Sequence, residues 1–391
     1  MPAVHKTRQP FWDYFWAAKL ILQTAGILPI GESSSLWKSI LTEVLAASPL
    51  MYGSYVLIQP LHCILFRSDN MDELLEAVIV VITVSGGQLR SILISIHRRK
   101  IVRLFTIARK LWDETHAEDR ELILTWAKRA RFFCTIYFWA TQVSSTLFVL
   151  TSVVKQLSLP PNSTISHYPF GIEESITPSP QYEIKYTLQI ISGYLGMMFV
   201  AASDMAVTLL VLNLCGQLAL IQSWLLDISK KELIAARQRT DGSFEVALRK
   251  CIRRHQVVMN FCAELEEIVN CINLVQILGG MYTMAISGAR LAKNLRSYRF
   301  SGPLIVSISG LFFSCWPADN LSFETAKVAH AVYAVPWHSC SPAEKTLVAI
   351  MLTRSQRSAK LTAGKFVALS LETFSSILSS GVSCCMILLR F

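Results

Sequence analysis

YTLQIISGYLGMMFVAASDMAVTLLVL, Tyr186–Leu212, carries a single charged side chain, Asp204, in 27 residues. The hydrocarbon core of a bilayer takes about 20 predominantly apolar residues as a helix, so this stretch is long enough to cross one. Its apolar character does not stop at Leu212. Cys215, Leu218, Ile221, Trp224 and Leu225 follow at helical spacing. The stretch therefore reads as a spanning helix that projects well past the membrane, and it sets the class of the chain as α-helical and integral to a membrane.

Working outward, six more stretches have the same character: Val44–Phe66, Leu74–Ile96, Phe132–Val154, Ile268–Leu291, Pro303–Trp316 and Thr362–Leu389. Pro303–Trp316 is too short as it stands, and Phe300 to Asn320 gives a spanning length. Composition agrees. Of 391 residues, 52% are hydrophobic and 16% charged, with a mean hydropathy of +0.41, against roughly 25% charged in an average soluble domain. The opening, MPAVHKTRQPFWDYFWAAKL, holds no uninterrupted apolar core followed by a small-residue cleavage site, so the first span is expected to act as its own insertion signal. The last stretch, SSGVSCCMILLRF (Ser379–Phe391), stays apolar to its final residue with one charge.

Lys and Arg orient the spans. Ten lie between Arg98 and Arg131, eight between Lys230 and Arg254, five between Asp319 and Lys360 and four before the first span, so 27 of 37 share one side. By the positive-inside rule that side is cytoplasmic, which places the amino terminus inside and, after seven spans, the carboxyl terminus outside. The net charge of +10 is then the charge of inner segments and not a nucleic-acid footprint. Asn162-Ser163-Thr164, a glycosylation sequon, falls in a long outer loop, whereas Asn320-Leu321-Ser322 falls inside.

The inner segments are patterned. Ser243 to Glu267 has apolar residues at 244, 248, 252, 258, 261 and 265 and reads as a helix continuous with the fifth span. AKVAHAVYAVPW, Ala326–Trp337, reads as a separate short amphipathic helix. Together they predict a cytoplasmic helical bundle, either a packing domain within this chain or, the favoured reading, a subunit interface, because the helical extensions leave much apolar surface uncovered.

Catalytic patterns are absent: there is no HExxH, GxSxG, P-loop or kinase motif. His62, His97, His167, His255, His330 and His338 are scattered singly, and the ten cysteines include no CxxC pair. The expectation is no enzyme, no metal site and no cofactor. Among charges in the spans, Glu76 and Arg90 read as snorkelling residues near span ends, Asp204 lies deeper, and Lys365 and Glu372 lie in the last span. Internal repeats of the transporter kind and a TVGYG filter are also missing, which leaves a receptor, a channel or both.

AHAVYAVPW (Ala329–Trp337), EKTLVAIMLTRSQRSAKLTAGKF (Glu344–Phe366) and LSLETFSSILSSGVSCCMILLRF (Leu369–Phe391) then carry a specific likeness. Tyr333 and Trp337 stand four apart, Arg354-Ser355-Gln356-Arg357 follows, and Phe374, Ile377 and Leu378 form the core of the last helix. This pattern resembles the C-terminal signature of insect odorant receptors, with Ser358 where the family has Pro and Ser383-Cys384 where it often has Ser-Tyr. The specific match covers the last third of the chain.

The resemblance implies an odorant-gated, non-selective cation channel. This chain would be a ligand-tuning subunit in a heterotetramer with the odorant receptor coreceptor, in the plasma membrane of olfactory sensory neurons. Leu225–Phe244 lacks the coreceptor's long insertion. The division it implies is a cytoplasmic arm over 1–43, four spans with the odorant-binding region over 44–225, an anchor segment over 226–267, two spans over 268–320, an anchor helix and loop over 321–360 and a pore-lining helix over 361–391. A small volatile odorant would lie among spans two, three, four and six. Candidates there are Val78 and Val81, then Gln142, Ser145, Thr146 and Val149, then Tyr194, Met197 and Met198, with Ile305 and Ser309 from the sixth span. Ile387 is the implied gate, with Phe391 one turn on and Glu372 facing either the pore path or a neighbour. Tyr333, Trp337, Arg354, Ser355 and Gln356 belong to the anchor motif. A gustatory-type homotetramer is the nearest alternative, disfavoured by an ending without Gln-Phe. A G-protein-coupled receptor is disfavoured by the reversed topology.

Overall fold

The long apolar runs become long helices that continue through internal Gly and Pro residues, among them Pro49, Pro60 and Pro317. A computed structural model of the chain describes residues 10–31, 36–66, 71–158, 165–170, 173–175, 178–235, 243–293 and 300–390. Two short helices open it, α1 (Phe11–Tyr14) and α2 (Trp16–Thr24). Then come α3 (Leu36–Phe66), α4 (Met71–Asp113), α5 (Arg120–Leu157), α6 (Gln181–Ala235), α7 (Ser243–Lys293), α8 (Ser301–Tyr333), α9 (Pro342–Ser355) and α10 (Leu371–Leu388). Seven of these, α3 to α8 and α10, are long and apolar enough to cross a membrane. Two small antiparallel hairpins complete the fold: β1 (Ile165–His167) with β2 (Glu173–Ser175), and β3 (Thr362–Ala363) with β4 (Val367–Ala368).

The central post is α6. It is apolar around its whole circumference, and 67% of its most apolar window is buried, as expected of a helix without a polar face. Leu209 to Leu212, Leu214, Cys215, Leu218, Leu220, Ile221 and Leu225 all lie in the core. Around it the helices run on past the bilayer. The basic stretch after the second span is therefore no loop: Arg98 to Lys110 continue α4 and Arg120 to Arg131 begin α5. The opening segment is likewise no loose arm. Phe11 and Phe15 of α1 and its C-cap set their rings against Trp112 of α4, at 5.7 and 6.1 Å between centroids, and Arg120 lies 5.6 Å over the same indole.

Three other expectations change. First, α8 continues unbroken from Ser301 to Tyr333 through Pro317, so Ala326–Tyr333 is its end and not a separate helix. The polar stretch at 322–325 is no break because Glu324 is buried there, accepting from Gln222 at 2.9 Å and from Lys327 at 2.9 Å. Second, the last span starts at Leu371, not Thr362. Gly364 and Lys365 both take positive φ, +59° and +64°, the pairing a tight hairpin turn demands, so Lys365 sits in a turn outside the helix. Ser370 then caps α10 by accepting from the Thr373 amide at 3.1 Å. Third, Arg90 does not snorkel; it is 4% exposed and paired.

The ends of α4 to α9 on the basic side form a packed bundle. Ser341 and Glu344 close a reciprocal capping box at the start of α9, with bonds of 2.7 and 3.4 Å. His255 of α7 is buried in this bundle with its Nε2 unpartnered among the described residues. Burial, and secondarily the Arg354 charge, hold its pKa down from 6.5 to about 4. The unfolded chain binds this proton near 6.5 and the folded chain only near 4, so stability falls as pH drops through that window, by up to about 3 kcal/mol. Thermal unfolding of the solubilised protein is expected to become more facile between those pH values, and His255→Leu is expected to flatten that dependence.

Candidate functional site

Where α4, α5, α6, α7 and α8 meet, in the half of the bundle in which α4 and α8 begin, the sequence withholds side chains. Gly86 and Gly87 of α4, Gly193 of α6 and Gly279 and Gly280 of α7 face one space, a cavity of about 180 Å³. An apolar cavity of roughly 150 Å³ takes up a benzene molecule, so this one accommodates a small ring or a short chain. Phe148, Val149, Met197, Val200, Val275 and Val306 supply apolar walls, and Phe170, from the segment between α5 and α6, closes one side. A smaller space of about 110 Å³ adjoins it between α3, α4 and α6, sharing Gly87, Phe170, Gly193 and Met197 as walls.

At the inner end of the cavity lies a buried polar network. Arg90 of α4 and Asp204 of α6 form an ion pair whose side chains are 4% and 7% exposed. Arg90 also donates to Gln276 Oε1 of α7 at 2.5 Å and to Ser203 Oγ at 2.7 Å. Tyr137 of α5 donates to the other Asp204 oxygen at 2.6 Å and stacks on Phe313 of α8 with centroids 4.2 Å apart. The salt bridge and its hydrogen bonds thus tie four helices, and Arg90, Tyr137 and Gln276 form the cavity floor.

Of the residues expected here, Ser145, Val149, Tyr194 and Met197 line the cavity. Thr146 stands beside Tyr194, hydroxyl to hydroxyl at 2.9 Å. The others lie elsewhere. Gln142 is not part of the lining, and its amide nitrogen is buried without a partner among the described residues. Met198 takes the Thr24 hydroxyl of α2 on its sulfur at 3.9 Å. Val78 packs with Ile79, Ile286 and Phe300, and Val81 is half-buried off the lining. On α8, Ile305 is exposed and Ser309 bonds its own helix at Val306, 3.1 Å. The face turned inward is Pro303, Val306 and Ser307. The fifth span contributes Val275, Gln276, Gly279, Gly280 and Thr283, which no sequence argument had included. Its Gly-Gly pair, matched by Gly86-Gly87, was the available signal.

Away from the cavity, Glu372 lies in the exposed first turn of α10 and Ile387 is exposed near its end. Tyr333 and Trp337 are exposed around the end of α8. Arg354 is in the last turn of α9, Ser355 is buried with its hydroxyl on the Leu352 carbonyl at 2.9 Å, and Gln356 caps the helix. Asn162 and Phe391 lie outside the described residues.

The network and the hollow have opposite energetic signatures. Removing one partner of a buried ion pair costs ~3–5 kcal/mol, whereas replacing both by apolar groups is often neutral. Asp204→Ala is therefore expected to abolish surface expression or lower the melting temperature sharply, and Arg90→Leu/Asp204→Leu to recover most of that loss. At Gly279 an added Cβ meets nothing within 4 Å, so Gly279→Ala is expected to stabilise by up to ~1 kcal/mol through helix propensity, read as a raised melting temperature.

Comparison with known proteins bears on this architecture. The family model described as 7tm Odorant receptor matches residues 70–381. Odorant receptor 13a of Drosophila melanogaster is 22% identical over 396 residues, covering 93% of this chain and 92% of its own. Odorant receptor 22c of the same species is 22% identical over 291 residues, 70% of each chain. The odorant receptor coreceptor of Aedes aegypti is 24% identical over 148 residues, 37% of this chain and 31% of that one. In three dimensions the chain is similar to the insect olfactory receptor OR5 from Machilis hrabei, with a TM-score of 0.77 at 14% identity over 96% and 97% of the two chains. It is also similar to that receptor in complex with eugenol, with a TM-score of 0.75 at 15% identity over 97% and 99%. With a family model spanning most of its length and the same seven-helix fold, the chain belongs to the seven-transmembrane odorant receptor family.

Proposed function

We propose that this chain is the ligand-tuning subunit of an odorant-gated, non-selective cation channel, completed by an odorant receptor coreceptor in the plasma membrane of olfactory sensory neurons. The observation that carries the reading is the two-faced character of α10. Phe374, Ile377, Leu378, Gly381, Cys384 and Cys385 turn toward α7 and α8. The opposite face, Glu372, Ser375, Ser376, Ser379, Ser383, Met386 and Ile387, is exposed. Only 6% of this spanning helix is buried within the chain. A row of hydroxyls in a spanning helix belongs against water or another protein surface, not hydrocarbon.

On this reading the serine face lines a path for cations, Glu372 draws them to its inner end, and Ile387, one apolar ring per assembly, closes it by dewetting. Tyr333 and Trp337, exposed aromatics at the cytoplasmic end of α8, are the anchor surface for the neighbouring subunit, since aromatic anchors are enriched at the centres of interfaces. The cavity among α4 to α8 receives a small volatile molecule, a reading supported by the similarity to the OR5 receptor in complex with eugenol, and Asn162 carries a glycan on the outer loop.

Expressed with a coreceptor, the chain is expected to give an odorant-evoked cation current that persists when G-protein signalling is blocked, and none when expressed alone. Ile387→Ser is expected to raise the current without odorant several-fold. Gly279→Leu, which fills open space, is expected to reach the surface yet lose the odorant response. A current from the chain alone, or an unchanged response in Gly279→Leu, would count against the reading.

A further inference from the structure

The buried guanidinium of Arg90 is one bond short. Its two terminal nitrogens are engaged by Gln276, Ser203 and Asp204, but its Nε–H is buried with no partner among the described residues. An unmade bond on a buried charged donor carries the full cost of its desolvation. Arg90 forms part of the cavity wall, so a guest in that cavity is the natural supplier of the missing acceptor.

The rest of the floor says which acceptor. Gln276 gives its oxygen to Arg90, which leaves its amide N–H₂ as a second donor. Both Asp204 oxygens are already engaged, by Arg90 and by Tyr137. Three of the wall hydroxyls have their protons placed on their own helices or on each other: Ser145 on Thr141 at 3.2 Å, Ser307 on Pro303 at 2.7 Å, and Tyr194 with Thr146 at 2.9 Å. Beside the unpartnered Nε–H, the Arg90 charge is already neutralised by Asp204. An anion therefore gains nothing from it, and the oxygen that fits is a neutral acceptor with lone pairs for Arg90 Nε–H and the Gln276 amide.

Resting on the reading of this cavity as the odorant site, we infer that its ligand is a small neutral carbonyl compound, a ketone, aldehyde or ester, whose oxygen accepts from Arg90 Nε–H while its hydrocarbon part lies against Phe148, Val149, Val200 and Val275. Arg90 is then a specificity-determining residue as well as half of a structural ion pair.

The test compares 2-heptanone with 2-methyl-1-heptene, in which the carbonyl oxygen is replaced by an isosteric methylene. Affinity is read from ligand-induced thermal stabilisation of the purified protein, and gating is read separately as current with the coreceptor. Loss of a hydrogen bond to a charged group costs about tenfold or more, so the ketone is expected to bind at least tenfold more tightly. In Arg90→Leu/Asp204→Leu that ratio is expected to fall toward one; the ratio, not the absolute affinity, is the readout. Equal binding of the two compounds by the wild type overturns the inference, as does failure of both to bind or a ratio unchanged in the double variant. If the double variant does not fold, the wild-type ratio decides alone. A ketone preference without current would sustain the inference and sink the channel reading, whereas current without a preference would do the reverse.

Discussion

A charge pair cut off from water fixes the geometry of the membrane half of this chain. Arg90 and Asp204 are 114 residues apart, and burying either charge in an apolar bundle is costly without the other. Their mutual need sets the rotation of α4 against α6, Tyr137 then fixes α5, and Gln276 fixes α7. Apolar packing alone would allow these smooth helices to slide or rotate at little cost. The cavity follows from the same constraint. With the phases of α4 and α7 set, Gly86, Gly87, Gly279 and Gly280 turn toward the common space, and their missing side chains become a hollow instead of a close helix contact.

Helix α7 joins that hollow to α10. Residues 275, 276, 279, 280 and 283 face the cavity, while Met284 and Gly288 on its other side meet α10 at Gly381 and Cys385. At Gly381 an added Cβ would fall 1.9 Å from the Met284 methyl, so the two helices touch with no spare space. A guest that presses on Gly279 or Thr283 therefore presses on an element whose other face bears directly on the proposed gating helix. A packed contact of this kind moves between discrete arrangements and does not deform smoothly. The pair formed by the glycine-rich face and the methionine contact is the route by which occupancy of the cavity would reach Ile387.

Hydropathy and charge made seven spans and their projection into the cytoplasm legible, because both depend on composition over tens of residues. What stayed hidden depends on phase and on partners far off in the chain. Arg90 reads as a span-end residue since its distance from the basic cluster at 98–100 is short, and nothing local announces Asp204. The sequence points to Ile305 and Ser309 where α8 in fact turns Pro303, Val306 and Ser307 inward, because one helical face looks like another until its neighbours are known. Lys365 was absorbed into a span because an averaged apolar run does not register two consecutive positive φ angles. Four of the eleven expected lining residues stand at the cavity, and they come from α5 and α6, where a polar side chain inside an apolar run marked the inner face.

The distribution of burial separates the chain into a part that is finished and a part that is not. With 67% of its central window buried against 6% for α10, α6 needs nothing further, and the aromatic cluster around Trp112 closes the cytoplasmic end of α4 with residues from the same chain. By contrast, α10 rests on α7 and α8 along one face and offers a line of hydroxyls on the other. Those hydroxyls bond back to their own helix, Ser379 to Ser375 and Ser383 to Ser379, each at 3.0 Å, so their protons stay placed while their remaining lone pairs face the free side and can take up water. A helix built this way is stable enough to insert and is not committed to a fixed partner on its free side. That combination suits a pore wall, whose free side must exchange between a dewetted and a hydrated state while the packed side stays in register. The same asymmetry accounts for the placement of Gly381 and the two cysteines on the packed face: small and polarisable groups let α10 sit close to α7, where a displacement of α7 has the least slack to lose.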